Sequence, residues 1–404
     1  MERQPQAMEL DLIGQYYASI INPRQTGVFA LTVYLKEVLN PQILQEAVND
    51  LMRRLPFLNG RLKRGFLHYK YEGLTEPPQV KRESRESLFC DYYNRDSGHM
   101  IGIVCGDRHF TVRTTHSICD GRGLSKVTRA LIVRYFELLG VEANHGDIMD
   151  CAQAFQGEEA ENAYERFVNP SAKSNVERGI AKLKAYHPKS AKSAPQHVLT
   201  QVLDSGEMNE KAKAHGVTIT AYLLAQIFCE VAKERDAKGD KRPITAMLPI
   251  DCRSFFPSKT LRSFVSSETI TMPETEDFAD MLQQISAQFQ KINKDSIQAD
   301  IDELQNLYHS TRYVPRVLKT WFMKVIARSE STEQTTGLSN LGRITLPQEI
   351  ACRVDWMEFS ISLEQDTPYF FSCVTHGNAL AFTASFREEG RMLVDAVMSR
   401  LKSE

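Results

Sequence analysis

The chain has 404 residues, of which 42% are hydrophobic and 25% charged, and its 49 basic and 51 acidic side chains give a formal net charge of −2. Such values are ordinary for a globular protein, and the near-neutral balance excludes nucleic acid and other polyanions as expected partners. The sequence has no apolar N-terminal run and no stretch of about 18 apolar residues, so we predict neither a secretory signal nor a transmembrane segment.

The eight cysteines are scattered along the chain, and none belongs to a Cys-x-x-Cys pair. This spacing gives no support to a structural zinc site or a redox motif. Isolated cysteines in a long chain without a signal are typical of reduced thiols. We therefore predict a cytoplasmic protein without a bound metal, and we expect a monomer.

Strand and helix patterns alternate through the first part of the chain. An apolar, β-branched run predicts a strand over 27–36, and Asn40-Pro41 then provides a cap and a first residue for a helix. Hairpins are predicted over 58–71, with its turn at Arg64-Gly65, and from 100–104 to 109–115. The last of these strands runs directly into His116, and a helix is predicted over 124–139.

Composition divides the chain into two halves. From about residue 157 the sequence becomes first acidic and then rich in Lys, Ser, Ala and Pro, which predicts a crossover linker over 166–196 between an N-terminal half, 1–165, and a C-terminal half, 197–404. The linker contains lysines that form either a solvated surface or a basic patch for cofactor phosphates, namely Lys182, Lys184, Lys189 and Lys192.

Strands and helices also alternate in the C-terminal half. Strands are predicted over 197–203, 243–250, 357–363, 369–375 and 379–386, and helices over 208–216, 220–235, 278–308, 314–328 and from 392 onwards. Mixed sheets with helices packed against them indicate an α/β (α+β) fold.

The segment from Tyr313 to Arg328 combines an apolar stripe with basic residues. The stripe consists of Val317, Leu318, Trp321, Val325 and Ile326, and the basic residues are Arg316, Lys319, Lys324 and Arg328. An amphipathic stripe of this kind either faces the core or lies on a membrane surface.

The strongest local signal is His116-x-x-x-Asp120-Gly121, between a predicted strand and a predicted helix. A histidine with an ordinary pKa is mostly neutral at cytosolic pH, as a general base requires. The carboxylate of Asp120 either orients the imidazole directly or holds the loop through a salt bridge. Gly121 and Gly123 are expected to permit tight backbone turns.

Other chemistry receives less support. Cys119 lies in the same loop and is either a nucleophile paired with the histidine or a packing thiol. The segment 337–342 misses the Gly-x-Ser-x-Gly nucleophile elbow by one residue, and no phosphate-binding Gly-x4-Gly-Lys loop occurs. Arg253 follows a predicted strand and is either a surface charge or a partner for the loop carboxylate.

Four short segments, in this order and spacing, resemble the superfamily of chloramphenicol acetyltransferase-like, CoA-dependent acyltransferases. They are 54–61 (RLPFLNGR), 116–121 (HSICDG), 248–253 (LPIDCR) and 336–342 (TGLSNLG). The superfamily includes alcohol acetyltransferases, BAHD enzymes, polyketide-associated acyltransferases and the condensation domains of nonribosomal peptide synthetases. The resemblance spans most of the chain.

The resemblance implies two related halves, each a mixed β-sheet flanked by helices, with a tunnel between them. It implies that His116 is the general base, that Asp120 pairs with an arginine for which Arg253 is the candidate, and that Ser339 or Asn340 lies near the developing oxyanion. No bound cofactor is expected. Acyl-CoA would be the co-substrate and a small or lipid-like alcohol the acceptor.

One residue departs from the superfamily pattern. Condensation domains and several relatives carry a second histidine before the motif, where this chain has Thr115. This departure favours a stand-alone O-acyltransferase over a peptide-forming enzyme. Two alternatives stay open, namely a condensation enzyme that forms an ester or amide with an acyl carrier protein as partner, and a non-catalytic binding member of the fold.

Overall fold

The computed structural model describes residues 7–22, 25–83, 98–169, 184–188, 195–275, 277–364 and 367–403. The helices and strands before residue 170 are β1 (Ala7–Glu9), α1 (Leu12–Ile20), β2 (Val28–Leu35), α2 (Pro41–Arg54), β3 (Gly60–Arg64), β4 (Tyr69–Gly73), β5 (Lys81–Arg82), β6 (Ile101–Cys105), β7 (His109–Thr115), α3 (Gly121–Leu138) and α4 (Ala163–Phe167).

Those after residue 195 are β8 (His197–Asp204), α5 (Ser205–Ala214), α6 (Ile219–Ala237), β9 (Thr245–Asp251), β10 (Val265–Thr271), α7 (Phe278–Gln290), α8 (Lys294–Thr311), α9 (Arg316–Ser331), β11 (Thr336–Arg343), α10 (Gln348–Ala351), β12 (Val354–Ile361), β13 (Tyr369–His376), β14 (Ala379–Phe386) and α11 (Arg391–Ser403).

These strands form three sheets. The first lobe contains a five-stranded sheet of order β12-β2-β7-β6-β5 and a small sheet of order β1-β4-β3, and the second lobe contains a six-stranded sheet of order β10-β9-β11-β13-β14-β8. Both large sheets are mixed, because β5 is parallel to β6, and β11 is parallel to both β9 and β13, while the other pairs are antiparallel. Helices flank the sheets, so the predicted α/β (α+β) class is confirmed.

One strand crosses between the halves of the chain. β12 belongs to the second half by sequence, but it pairs antiparallel with β2 at the edge of the five-stranded sheet, where Phe359 lies opposite Leu31. The first lobe is therefore completed by a strand that lies more than 180 residues beyond α4, the last element of the first half.

Local sequence signals explain where several elements begin. The Asn40 side chain accepts hydrogen bonds from the backbone N–H groups of Gln42 and Ile43, at 3.0 and 3.3 Å, and so caps α2 as predicted. The single helix predicted over 278–308 is instead two helices, α7 and α8. The break occurs because Asn293 caps a new helix, accepting from the N–H groups of Asp295 and Ser296.

The acidic segment that begins near residue 157 resembles the crossover in composition. In the structure, however, it packs into the first lobe. Glu159 is buried and accepts two hydrogen bonds of 2.6 Å from the guanidinium of Arg54. The segment around Glu159 therefore belongs to the first lobe, whereas α4 packs against residues of the second half, where Tyr164 clusters with Phe264 and Ile301. Of the linker lysines, Lys184 is exposed, whereas Lys182, Lys189 and Lys192 lie outside the described residues.

Four of the five residues in the apolar stripe of α9 face solvent, so the interpretation that the stripe as a whole faces the core is wrong; the fifth, Ile326, is half-buried and packs with Leu12 and Tyr16. Trp321 is 68% exposed, and Val317, Leu318 and Val325 are also exposed. The buried side of the helix instead carries Lys319 and Met323.

The second-lobe core forms around α6, most of which is buried. Within the described residues, no single helix is long and apolar enough to span a bilayer; α5 and α6 pass that test only together, as a pair bent by 83°.

Candidate active site

His116 begins the turn that follows β7. Its backbone N–H donates to the carbonyl oxygen of Gly27, at 3.2 Å. The Thr115 hydroxyl accepts from the N–H of Ser117, and the Ser263 hydroxyl donates to the carbonyl oxygens of His116 and Cys119 at 3.1 and 3.0 Å. The loop is thus held by residues of both lobes.

Two aromatic rings enclose the imidazole of His116. The Tyr17 ring stacks on it with centroids 4.7 Å apart and planes 23° apart, and the Phe29 ring lies 4.3 Å away. Nδ1 is buried and has no hydrogen-bond partner among the described residues. Burial lowers the pKa of His116 to about 4, so the ring is neutral at physiological pH.

Asp120 turns away from the imidazole. Its Oδ1 accepts from the N–H of Gly123 at 2.7 Å and so caps α3, while its Oδ2 accepts from Arg253 Nη1 at 2.9 Å and from the N–H of Phe264 at 2.8 Å. The structure therefore selects the second of the two predicted arrangements, in which the carboxylate holds the loop.

Arg253 is almost completely buried and is not a surface charge. Besides the ion pair with Asp120, its guanidinium donates to the Asp251 carboxylate at 2.9 Å and to the carbonyl oxygens of Thr260 and Arg262 at 3.1 and 2.7 Å. Every nitrogen of the guanidinium is used, which is how a buried charge avoids a large desolvation cost.

The two glycines of the motif serve close packing and not backbone turns. Both lie in the helical first turn of α3, and neither has a positive φ, so the expected turn-forming role is wrong. A Cβ atom on Gly123 would lie 2.1 Å from the carbonyl oxygen of Leu261, and one on Gly121 would lie 2.7 Å from the Leu341 side chain. The glycines let the start of α3 approach the second lobe.

A cavity of about 110 Å³ lies between the lobes and is lined in part by His116. The first half of the chain contributes Tyr17, Gly27, His116 and Gly121 to its wall, and the second half contributes residues from β9, β10, β11, β12 and β13, including Met247, Pro249, Ser267, Thr336, Ser339, Phe359, Ile361 and Phe370. His116 and Gly121 thus share one cavity with Ser339, which lies more than 200 residues further along the chain.

Asn340 does not line this cavity. Its side chain donates to the Thr220 hydroxyl at 3.0 Å and accepts from the N–H of Gly342 at 2.7 Å. Gly342 has a φ of +73°, and the register of β11 against β13 shifts at this point. Of the two residues expected near the oxyanion, only Ser339 is therefore in the cavity.

Cys119 is unsuited to nucleophilic catalysis. It is buried, its Sγ donates to the carbonyl oxygen of Asp120, and burial raises its pKa well above the usual range. The segment 337–342 is itself part of β11 and not a strand-to-helix elbow. Within the part of the chain that the structure describes, no three His, Cys, Asp or Glu side chains are grouped to hold a metal ion.

Sequence reasoning missed α1, which supplies Tyr17. The signal is Asp11, whose carboxylate caps α1 by accepting from the N–H of Gly14 at 2.7 Å and also pairs with Arg262 at 2.8 Å. Asp followed by Leu-Ile is a helix-start pattern, but nothing in it indicates that the helix lies over the histidine.

No protein-family model matches the chain, and no curated protein matches it by sequence. Solved structures do match. The first condensation domain of the calcium-dependent antibiotic synthetase has a TM-score of 0.64 at 12% identity, covering 99% of this chain and 96% of that one. Polyketide synthase associated protein 5 from Mycobacterium tuberculosis has a TM-score of 0.60 at 16% identity, with 97% and 96% covered.

A third match is the TRI3 trichothecene 15-O-acetyltransferase from Fusarium sporotrichioides, with a TM-score of 0.62 at 9% identity over 99% of this chain and 96% of that one. At these identities the matches show the fold. They extend over the whole chain and agree with the resemblance seen in the four sequence segments. The chain has the two-lobed fold of the chloramphenicol acetyltransferase-like and condensation-domain superfamily.

Proposed function

We propose that the protein is an O-acyltransferase that moves an acyl group from acyl-CoA to an alcohol, with His116 as the general base. The observation that carries the proposal is a neutral imidazole in a cavity between the lobes, with the Ser339 side chain on the opposite half of the chain lining the same space. A neutral imidazole accepts a proton, and a cavity between two lobes admits two substrates.

The proposed reaction needs no covalent enzyme intermediate. His116 takes the proton of the acceptor hydroxyl while the hydroxyl oxygen attacks the thioester carbonyl. The tetrahedral intermediate then collapses, the C–S bond breaks, and the imidazolium returns the proton to the departing thiolate. The products are an ester and coenzyme A. General-base assistance of this kind contributes about 10²–10⁴-fold, and holding the two substrates together contributes through proximity.

The remaining residues have separate proposed roles. Ser339 is positioned to donate its hydroxyl proton in a hydrogen bond to the oxyanion, whereas Asn340 shapes β11 through Thr220 and Gly342. Asp120 and Arg253 are positioning residues that fix the loop. Gly121, which has no Cβ atom, lets the first turn of α3 approach the Leu341 side chain.

The lining suits an apolar acyl chain or alcohol, since Met247, Phe359, Ile361 and Phe370 contribute to it. The enclosed volume of about 110 Å³ is below the roughly 300–1,000 Å³ of complete ligand pockets. It therefore accommodates the reacting groups, and the rest of each substrate must lie outside it.

A second candidate is transfer from an acyl carrier protein, with an ester or amide as product. It is favoured by the similarity to condensation domains and to a polyketide synthase associated protein. Comparing acyl-CoA with acyl-carrier donors at equal concentration separates the two candidates.

The test is the substitution His116→Ala. We expect turnover of acyl-CoA with an alcohol panel to fall about 10²–10⁴-fold, while a cooperative unfolding transition is kept, because Nδ1 of the ring has no hydrogen-bond partner among the described residues. The control is His109→Ala, in β7, whose imidazole pairs with Glu83 away from the cavity. Full turnover by the His116→Ala variant would contradict the assignment of His116 as the general base. A wild-type protein that turns over neither donor would favour a non-catalytic binding member of the fold.

A further inference from the structure

The outer surface of α9 is the largest grouping of exposed apolar side chains in the described residues. Of the eleven large hydrophobic residues that are exposed there, six lie between residues 313 and 325. We call these six the α9 face: Tyr313, Val317, Leu318, Trp321, Phe322 and Val325. Single exposed hydrophobic residues are normal, but a contiguous set marks an interaction surface.

The orientation of α9 is fixed by its buried side. Lys319 is turned inward, with its Nζ 3.0 Å from Nδ1 of the buried His68 in the turn between β3 and β4. Met323 packs with Leu12 and Tyr308 beneath the helix. A helix that buries a lysine and exposes a tryptophan is inverted relative to an ordinary surface helix, and the described residues leave its apolar side uncovered.

The hairpin between β3 and β4 extends this surface. The N–H of Arg316 donates to the carbonyl oxygen of Phe66 at 3.0 Å, and Arg316 Nε donates to that of Gly65 at 2.8 Å. The hairpin tip is thereby attached to the first turn of α9, and the Phe66 side chain is 83% exposed.

Charge indicates the chemistry of the partner. Residues 312–329 contain five basic side chains and no acidic one. Lys324 and Arg328 are exposed beside the apolar residues, and the neighbouring acid Glu9 lies 3.9 Å from Arg312. Exposed Trp, Tyr and Phe side chains flanked by cations are the composition of a helix that lies in the interface of an anionic bilayer.

We propose that the α9 face, together with Phe66, docks on the surface of an anionic phospholipid bilayer, with α9 lying parallel to the membrane plane. The apolar side chains enter the headgroup region, and Lys324 and Arg328 contact lipid phosphates. This docking is independent of the chemistry proposed at His116.

A single helix, α1, lies between the α9 face and the cavity at His116. Met323 and Ile326 of α9 pack in one cluster with Leu12 and Tyr16 of α1, and the Tyr17 ring, which follows on α1, stacks on His116. A docked protein therefore holds its cavity close to the membrane surface, where a lipid-like alcohol is concentrated.

Flotation of the full-length protein with vesicles tests the proposal. We expect binding to phosphatidylcholine–phosphatidylglycerol vesicles and much weaker binding to phosphatidylcholine alone. Trp321→Glu and Leu318→Glu each abolish flotation, and Lys324→Gln and Arg328→Gln each weaken it about fivefold. Met392→Glu is the matched control, because Met392 is even more exposed than Trp321 and Leu318 but lies on α11, and it leaves flotation unchanged. Circular dichroism establishes that each variant is folded.

Absence of wild-type flotation with anionic vesicles, or equal flotation of Trp321→Glu and Met392→Glu, overturns the proposal. So does a protein that shows no flotation but binds a purified acyl carrier protein, or self-associates in sedimentation analysis, in a way that Trp321→Glu abolishes. His116→Ala floats like the wild type, which keeps this result separate from any failure of the proposed reaction.

Discussion

At the scale of single residues, the environment of His116 decides what the motif can do. Among the described residues the imidazole has two aromatic neighbours and no carboxylate partner, because Asp120 is committed to Arg253 and to the start of α3. The ring is therefore positioned by stacking and by the backbone, and its proton affinity is set by burial and not by an adjacent negative charge.

This environment predicts the pH dependence of turnover. Because burial lowers the pKa of His116 from 6.5 to about 4, the base stays neutral as the pH falls through 6.5 and is lost only near pH 4. At pH 5 we expect kcat/KM to keep about nine-tenths of its plateau, whereas an ordinary histidine would leave about one-thirtieth.

The control is Tyr17→Ser, which exposes the ring to water and moves the acidic limb of the profile towards 6.5. Circular dichroism at each pH separates inactivation from unfolding, since the unfolded chain takes up a proton below pH 6.5 that the folded chain does not, and stability falls over that interval. A wild-type limb centred at 6.5 would contradict the buried-base arrangement.

At the scale of elements, Asp120 links the start of α3 to the second lobe. One carboxylate oxygen caps the helix and the other accepts from Arg253 and from the backbone of Phe264. The motif aspartate thus acts as a joint between elements, and its effect on catalysis passes through the position of the loop.

Asp120→Asn keeps an amide oxygen for the cap and removes the charge opposite Arg253. We expect the free energy of unfolding to fall by about 3–5 kcal/mol, because a buried guanidinium loses its buried partner. Asp251→Asn is the comparison: Asp251 also contacts Arg253 but is partly exposed, so its loss costs about 1 kcal/mol or less. Denaturant titration of both variants measures their free energies of unfolding. Equal losses in the two variants would contradict the role of Asp120 in linking α3 to the second lobe.

At the scale of the whole molecule, the two lobes are connected by a strand that the second half of the chain supplies to the sheet of the first lobe. β12 completes the five-stranded sheet against β2, whose side chains are almost all buried. Removing β12 would leave β2 as an unpaired apolar edge, which is the situation that leads to aggregation.

We therefore predict that the halves do not separate when the chain is cut between residues 170 and 183 at an inserted protease site. The two fragments should elute together from a size-exclusion column and separate only in denaturant. Residues 1–169 expressed alone should aggregate and show no cooperative unfolding. A soluble 1–169 fragment with a sharp unfolding transition would contradict this role of β12.

The sequence by itself determined the elements with strong local signals. The capped helix α2, the two hairpins of the first half and the strands β13 and β14 follow from periodicity and turn residues, and the order of the four short segments pointed to the superfamily. Such features are local, since caps and turns involve residues only a few positions apart.

Only the tertiary structure decided which distant residues meet. It placed Ser339 in the cavity and turned Asn340 out of it, brought Tyr17 over His116, joined β12 to β2 and left the apolar side of α9 in solvent. Neighbouring strand residues look alike in sequence but point to opposite faces, and an amphipathic helix has the same pattern whichever way it is turned. The register of β11, the contact of Lys319 with His68 and the ion pair of Arg253 with Asp120 settle these choices, and they form only when the elements pack together.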